Sequence, residues 1–343
     1  MKTILFCNLP YGFSILKPLA DVLEQKGYDY LWYISSGIFD QFPYQEMPST
    51  QSIKVLEEFN SDAIFAPGND VPYWLRGLKI QIFHGLAGEK KGHFRIRDYF
   101  DLYLTQGPFF TQKFKALALK YKNFDVIETG WPKLDKAFTY SKGIKERKAS
   151  LLQQYNVKHI VLYAPTFSPS LTSAKILFNT IETLSNSEDL LFIVKFHDKM
   201  DADTVVSYKK IMSKNLLIVE DNDILPSLQM ADLMLSDTSS VVYEFILLDK
   251  PVITLNSQSD HITWSDHADV EGATQSLLKT LQGNDDFKNK RGKIIEQYHP
   301  YTDGKSAQRM IEAAETTIKK QGVPNKRKIP LLRKFKMKKK YSF

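Results

Sequence analysis

Short apolar runs recur along the chain, and between them lie stretches whose apolar residues repeat at helical spacing. The runs predict strands at Thr3–Cys7, Tyr28–Ile34, Ala63–Ala66, Ile80–Phe83, Leu102–Thr105 and Val126–Glu128. They resume at His159–Tyr163, Leu190–Val194, Leu216–Val219, Leu233–Leu235 and Val252–Leu255. Helical patterns such as Ile15–Lys26, closed by Gly27, and Phe109–Lys120 separate them. Strand–helix alternation of this kind implies parallel sheets with helices on both faces. The polar stretch Thr139–Ser150 divides the strands into two series. The expected fold class is therefore α/β: two Rossmann-like domains, 1–145 and 146–318, facing each other across a cleft, with residues 319–343 as a tail. No internal repeat is visible.

Composition narrows the class. Hydrophobic residues make up 43% and charged residues 25%, as in a globular protein. The single cysteine, Cys7, falls in an apolar strand and reads as core. The first residues are too short an apolar run for a signal peptide, and no run is long enough to cross a bilayer. An intracellular location follows as an expectation. The net charge of +7 is unevenly spread: Lys319–Phe343 holds eleven Lys or Arg and no acid, so the rest of the chain carries −4. A mildly acidic body argues against specific nucleic-acid binding, while the basic tail suits an anionic membrane surface.

In parallel sheets ligands bind beyond the carboxyl ends of the strands, so the residues just after each run are the candidates for chemistry. Leu233–Leu235 leads through Ser236 into Asp237-Thr238-Ser239-Ser240 and then a helical pattern. Small hydroxyl residues at a helix N-terminus suit a phosphate group, and they equally suit an ordinary N-cap. The predicted strand Ile80–Phe83 ends in His84-Gly85, with Lys90 and Lys91 shortly after. A His with glycine beside it at a strand end is placed to act as a general base, or is simply satisfied at a sheet edge. Leu190–Val194 ends in Lys195-Phe196-His197, whose alternation puts Lys195 and His197 on one side, where they would meet phosphate charge. Thr166, after His159–Tyr163, and Lys133, after Val126–Glu128, lie in Pro-containing turns that are either rigid connections or site edges. The dinucleotide and phosphate-loop glycine signatures are absent, and no tight His or Cys spacing marks a metal site.

Taken in order, His84-Gly85, Gly130-Trp131-Pro132-Lys133-Leu134-Asp135, Tyr163-Ala164-Pro165-Thr166-Phe167, Lys195-Phe196-His197, Asp237-Thr238-Ser239-Ser240 and Asp249-Lys250-Pro251-Val252-Ile253 resemble the CDP-glycerol glycerophosphotransferase family. Its members build teichoic acids and related polyol-phosphate polymers of capsules. The resemblance implies a GT-B fold, with the acceptor on the N-terminal domain and the nucleotide donor on the C-terminal one. It implies that His84 is the base and that His197 acts on the donor phosphates or in catalysis. Ser239 and Ser240 would cradle the diphosphate, with Lys195, Thr166, Asp237 and Thr238 beside them. Gly85, Lys90 and Lys133 are the candidates for the acceptor side. The chain departs from the family pattern at Phe83, Asp198 and Thr238, where Trp, Pro and Tyr are usual. The activity implied is transfer of glycerol or ribitol phosphate from CDP-glycerol or CDP-ribitol to a lipid-linked or oligosaccharide acceptor, releasing CMP. No cofactor or metal is expected, and the enzyme would work at the inner face of the cell membrane. The alternatives are a GT-B glycosyltransferase using a nucleotide-sugar and a non-catalytic assembly subunit that docks through its tail.

Overall fold

The computed structural model describes residues 1–86, 93–139, 142–187, 189–220, 223–259 and 262–341. The chain forms two compact units: Met1–Phe138 with Gln297–Phe343, and Thr139–Glu296. The first contains β1 (Thr3–Cys7), β2 (Tyr30–Ile34), β3 (Ser49–Thr50), β4 (Ala63–Ala66), β5 (Leu78–Gln81), β6 (Leu102–Thr105) and β7 (Asp125–Glu128). The second contains β8 (His159–Tyr163), β9 (Leu190–Val194), β10 (Leu216–Ile218), β11 (Leu233–Ser236), β12 (Val252–Leu255) and β13 (Ser265–His267).

Both sheets are wholly parallel and wound the same way. The order in the first is β3-β2-β1-β4-β5-β6-β7, and in the second β10-β9-β8-β11-β12-β13. Each thus begins at a central strand, steps outward to one side, then returns to build the other, which is the Rossmann order. The order reverses between β1 and β4 in one unit and between β8 and β11 in the other. Residues of β1, β4, β5, β6, β9, β11 and β12 are buried throughout, as strands covered on both faces must be. The expected α/β class and its two series of strands are as observed.

Several boundaries differ. The strand expected at Ile80–Phe83 is Leu78–Gln81, so His84 lies in the loop beyond the strand. The short edge strands β3 and β13 carry no apolar run and were not legible in the sequence. A larger difference is the end of the chain: residues 297–343 were expected in the second domain and a separate tail, and they belong to the first unit. Asp135, 6% exposed, accepts from the backbone N–H groups of Ser306 (2.9 Å) and Ala307 (2.7 Å), fastening the helix Ser306–Gln321 by its first turn. Gly130, at φ 86°, comes so close that a Cβ there would lie 2.4 Å from Ser306 Oγ.

The tail is folded rather than free. Arg327 is buried, donates to the carbonyls of Asp98 (2.6 Å) and Asn123 (2.7 Å), and pairs with Asp101. Asp101 also lies near the fully buried Lys79, which donates to the carbonyls of Leu75 and Gly77 and whose ammonium burial pushes down to a pKa of about 8. Beyond Arg327 the helix Leu331–Tyr341 buries Met337 and Tyr341, while Arg333 and Lys340 pair with Asp98 and Asp70 at 2.6 Å each. Charge counting alone could not reveal that these cations meet carboxylates from the body of the first unit. In the second unit Lys250 is spent in a similar way, donating to the carbonyls of Leu228, Gln229 and Ala231 at the end of the helix Leu225–Met230.

Two histidines of the first unit are held neutral. Burial, the largest influence on each, pushes His93 and His299 down to about 4. An unfolded histidine titrates near ~6.5, so below that pH the unfolded chain takes up protons that the folded chain refuses. Stability is therefore whole above pH 6.5 and is lost as pH falls toward 4, by roughly 3 kcal/mol for the fully buried His299. The expected result is a melting temperature that falls over this window in the wild type and falls less in His299→Gln. Equal falls in the two proteins would remove His299 from the account.

Candidate functional site

In the first unit the environment of His84 is built from four directions. Nδ1 lies 3.2 Å from the carbonyl oxygen of Pro67, just past β4. A carbonyl can only accept, so Nδ1 carries the proton and Nε2 is the basic nitrogen. Tyr11 stacks on the ring, with centroids 5.1 Å apart and planes 29° apart. Gln106, fully buried after β6, donates to the carbonyl of Gly85 at 3.1 Å. Phe83, the residue before His84, sits at φ 60°, a left-handed conformation uncommon for an aromatic side chain. Its carbonyl accepts from the indole N–H of the buried Trp131 at 3.3 Å. Trp131 is in turn fixed through its own backbone N–H, which donates to His299 Nε2 at 2.9 Å. His299 can accept there because it is neutral.

Trp131, Gln106, Tyr11 and His299 thus set the backbone and ring of His84, and none was singled out as functional in the sequence. Trp131 was visible as part of a family motif without a role of its own, and nothing local marks Tyr11 or Gln106. Lys133 lies over the Trp131 ring, its ammonium 5.5 Å from the centroid, so it attaches to the same assembly. Lys90 lies outside the described residues.

In the second unit the sheet order makes β9, β8 and β11 neighbours, so the segments after them share one edge. Lys195 and His197 follow β9, with Phe196 buried between them. Lys195 Nζ donates to the carbonyl of Phe196 at 3.0 Å. His197 is exposed, packs on Phe167 with ring centroids 4.4 Å apart, and accepts at Nδ1 from the backbone N–H of Lys199 at 3.1 Å. Its neutral ring therefore carries the proton on Nε2, the opposite tautomer to His84. Partial burial, opposed by Asp198 and aided by Lys199 and Lys195, lowers its pKa, so a neutral N–H donor is the state at pH 7.

In the turn after β11 the polar residues take different parts. Asp237, 1% exposed, points inward and accepts from Thr166 N, Ser173 N and Ser173 Oγ, each at 2.8 Å. It ties the loop after β8 to the turn after β11, and its burial holds its pKa above the usual carboxylate range. A carboxylate so committed organises the turn, a direction that composition cannot give. Thr166 enters the same network through its backbone N–H. Thr238 Oγ1 accepts from Gln258 N at 3.0 Å, linking in the loop after β12. Ser240 opens the helix Val241–Ile246 without a side-chain capping bond, and its residue is exposed. Among the described residues no three His, Cys, Asp or Glu side chains gather as metal ligands, and no helix is long and apolar enough to cross a membrane.

Comparison with known proteins bears on the family and the fold. Residues 84–315 match the family described as CDP-Glycerol:Poly(glycerophosphate) glycerophosphotransferase. The chain is 26% identical over 269 residues to the teichoic acid ribitol-phosphate polymerase TarL of Staphylococcus aureus, a match covering 68% of this chain and 46% of that protein. It is 24% identical over 271 residues to the teichoic acid glycerol-phosphate primase of Bacillus subtilis, covering 70% of this chain and 68% of the primase. This chain thus spans less than half the length of that polymerase. Its fold is similar to that of the wall teichoic acid polymerase TagF, with a TM-score of 0.65 at 17% identity over 93% of this chain and 89% of that one. The GT-B-like class expected from the motifs is therefore observed, and the ordered motifs from His84 to the segment Asp249–Ile253 fall inside the matched region. The chain belongs to the CDP-glycerol:poly(glycerophosphate) glycerophosphotransferase family.

Proposed function

We propose that the protein transfers glycerol phosphate or ribitol phosphate from its CDP-activated form to a hydroxyl of a lipid-linked or oligosaccharide acceptor, releasing CMP. The observation that carries this reading is the fixed tautomer of His84, whose Nδ1 is held by the Pro67 carbonyl so that Nε2 is the proton acceptor. In the proposed reaction Nε2 takes the proton of the acceptor hydroxyl as its oxygen attacks the polyol-bearing phosphorus. The bond from that phosphorus to the bridging oxygen breaks, and CMP leaves with the electron pair. Lys195, the Nε2–H of His197 and the hydroxyls of Ser239 and Ser240 meet the phosphate charge. Asp237 contributes by holding the two loops in register.

The test of the base is His84→Ala in the full chain, with CDP-glycerol and CDP-ribitol as donors. Turnover should fall by ~10²–10⁴-fold with donor affinity retained, as for loss of a general base. Normal turnover would refute the assignment, and release of a nucleoside diphosphate from a nucleotide-sugar by the wild type would replace phosphotransfer by glycosyl transfer.

The phosphate turn is tested separately. Because Ser240 makes no capping bond, Ser239→Ala with Ser240→Ala should weaken CDP-glycerol binding by about 10-fold, the loss of one or two hydrogen bonds. The melting temperature should change little. Unchanged affinity with a large loss of stability would make the turn purely structural.

We place the enzyme at an anionic membrane surface through the helix Leu331–Tyr341. Leu331, Leu332 and Phe335 are 81%, 80% and 74% exposed, and Lys336, Lys338 and Lys339 are exposed on the same short helix. Cations draw such a helix to anionic lipid, and exposed apolar side chains insert at the interface. Truncation before this segment would also remove the buried Arg327, so the cleaner variant changes all three apolar residues to Ser. Full-length protein should sediment with anionic vesicles and release as salt rises, with little affinity for neutral ones. Equal sedimentation of the triple variant would remove the apolar face from the account.

A further inference from the structure

The phosphate turn uses the switch point of the second sheet and leaves that of the first without a role. There, beyond the carboxyl ends of β1 and β4, the structure holds a cavity of about 780 Å³ lined by residues of the first unit alone. Its size is that of a site for a small ligand, and crevices at switch points are where ligands of such sheets bind. Glycine keeps one wall open: a Cβ at Gly68 would stand 2.9 Å from Asn8 Oδ1.

The chemistry of the lining is specific. Asp70 accepts from Asn8 Nδ2 at 3.0 Å and from Lys340 Nζ at 2.6 Å, and the Tyr341 hydroxyl accepts from Asn8 Nδ2 at 3.1 Å. One face is thus a network of carboxylate, amide and phenol able to meet hydroxyl groups. Lys340 offsets Asp70. Arg97, whose guanidinium donates to Asn69 Oδ1 at 3.1 Å, then leaves the charged lining at +1, the complement of one phosphodiester. Tyr11 and Tyr99 add aromatic faces. Tyr11 also stacks on His84, and the loop that holds His84 Nδ1 at Pro67 continues into the cavity at Gly68. The cavity and the proposed base therefore share a wall.

We infer that this cavity binds the phosphate-bearing polyol or sugar end of the acceptor, and that Lys340 and Tyr341 make the C-terminal helix part of the site. The inference rests on the transferase reading above. Arg97 is assigned to the acceptor phosphate, and Asn8, Asp70 and Tyr341 to its hydroxyls.

The test uses the full chain and calorimetry with synthetic tri(glycerol phosphate), N-acetylglucosamine 1-phosphate and CDP-glycerol. Arg97→Gln should weaken binding of the preferred acceptor fragment by about 10-fold, as expected for one lost charge-assisted contact, and raise the acceptor KM similarly, with CDP-glycerol affinity unchanged. Tyr341→Phe keeps the buried ring and removes only the hydroxyl, so it should give a smaller loss in the same direction. Preference for the glycerol phosphate trimer identifies a polyol-phosphate acceptor, and preference for the sugar phosphate a glycosyl-phosphate one. Wild-type affinity in a folded Arg97→Gln, or failure of the wild type to bind either fragment, would overturn the inference. If the fragments bind and Arg97→Gln weakens them while CDP-glycerol neither binds nor turns over, the donor reading fails and the cavity assignment stands.

Discussion

A buried carboxylate holds the end of this chain to its beginning. Asp135 accepts from the first two backbone N–H groups of the helix Ser306–Gln321, and burial raises its pKa against the pull of those bonds. Removing a carboxylate from water is costly, and the cost is offset here by charge-assisted hydrogen bonds and the positive end of a helix dipole. Gly130 permits the close approach, and Lys26 pairs with Glu315 farther along the same helix. Once that helix is seated, Arg327 reaches its buried carbonyls and Tyr341 reaches Asn8 and Asp70. The completed lining of the first unit's cavity depends on this fastening.

The two histidines singled out by the motifs show how the backbone assigns chemical roles. His84 meets a carbonyl and must donate at Nδ1; His197 meets an amide and must accept there. In the neutral rings the proton thus sits on Nδ1 of one and on Nε2 of the other. Around His84 the fixing continues outward: His299, neutral through burial, anchors Trp131, whose indole holds the Phe83 carbonyl. The motif Gly130–Asp135 therefore serves His84 through Trp131 and the fold through Gly130 and Asp135.

The alternation of apolar runs with helical stretches, the two series of strands and the positions of His84, His197 and the Ser239-Ser240 turn beyond strand ends were legible in the sequence, because strand burial and strand-end glycine or hydroxyl residues leave local patterns. The order of motifs carried the family. What could not be read was direction and partnership. Asp237 stood among four polar residues of one turn, and only the fold turns its carboxylate inward to Thr166 and Ser173 while Ser240 remains exposed. Eleven cations in the last 25 residues pointed to a tail for an anionic surface, yet Arg327, Arg333 and Lys340 are claimed by Asp101, Asp98 and Asp70, far away in sequence. Sequence by itself determined which segments are strands and which residue types end them, since those follow from burial and backbone preference within a few residues. Tertiary structure decided which nitrogen of each histidine carries the proton, which carboxylate is spent on the fold, and that the C-terminal helix lines the cavity of the first unit. Each of these depends on hydrogen bonds and ion pairs between residues tens to hundreds of positions apart or on the local backbone conformation, which no run of side chains encodes.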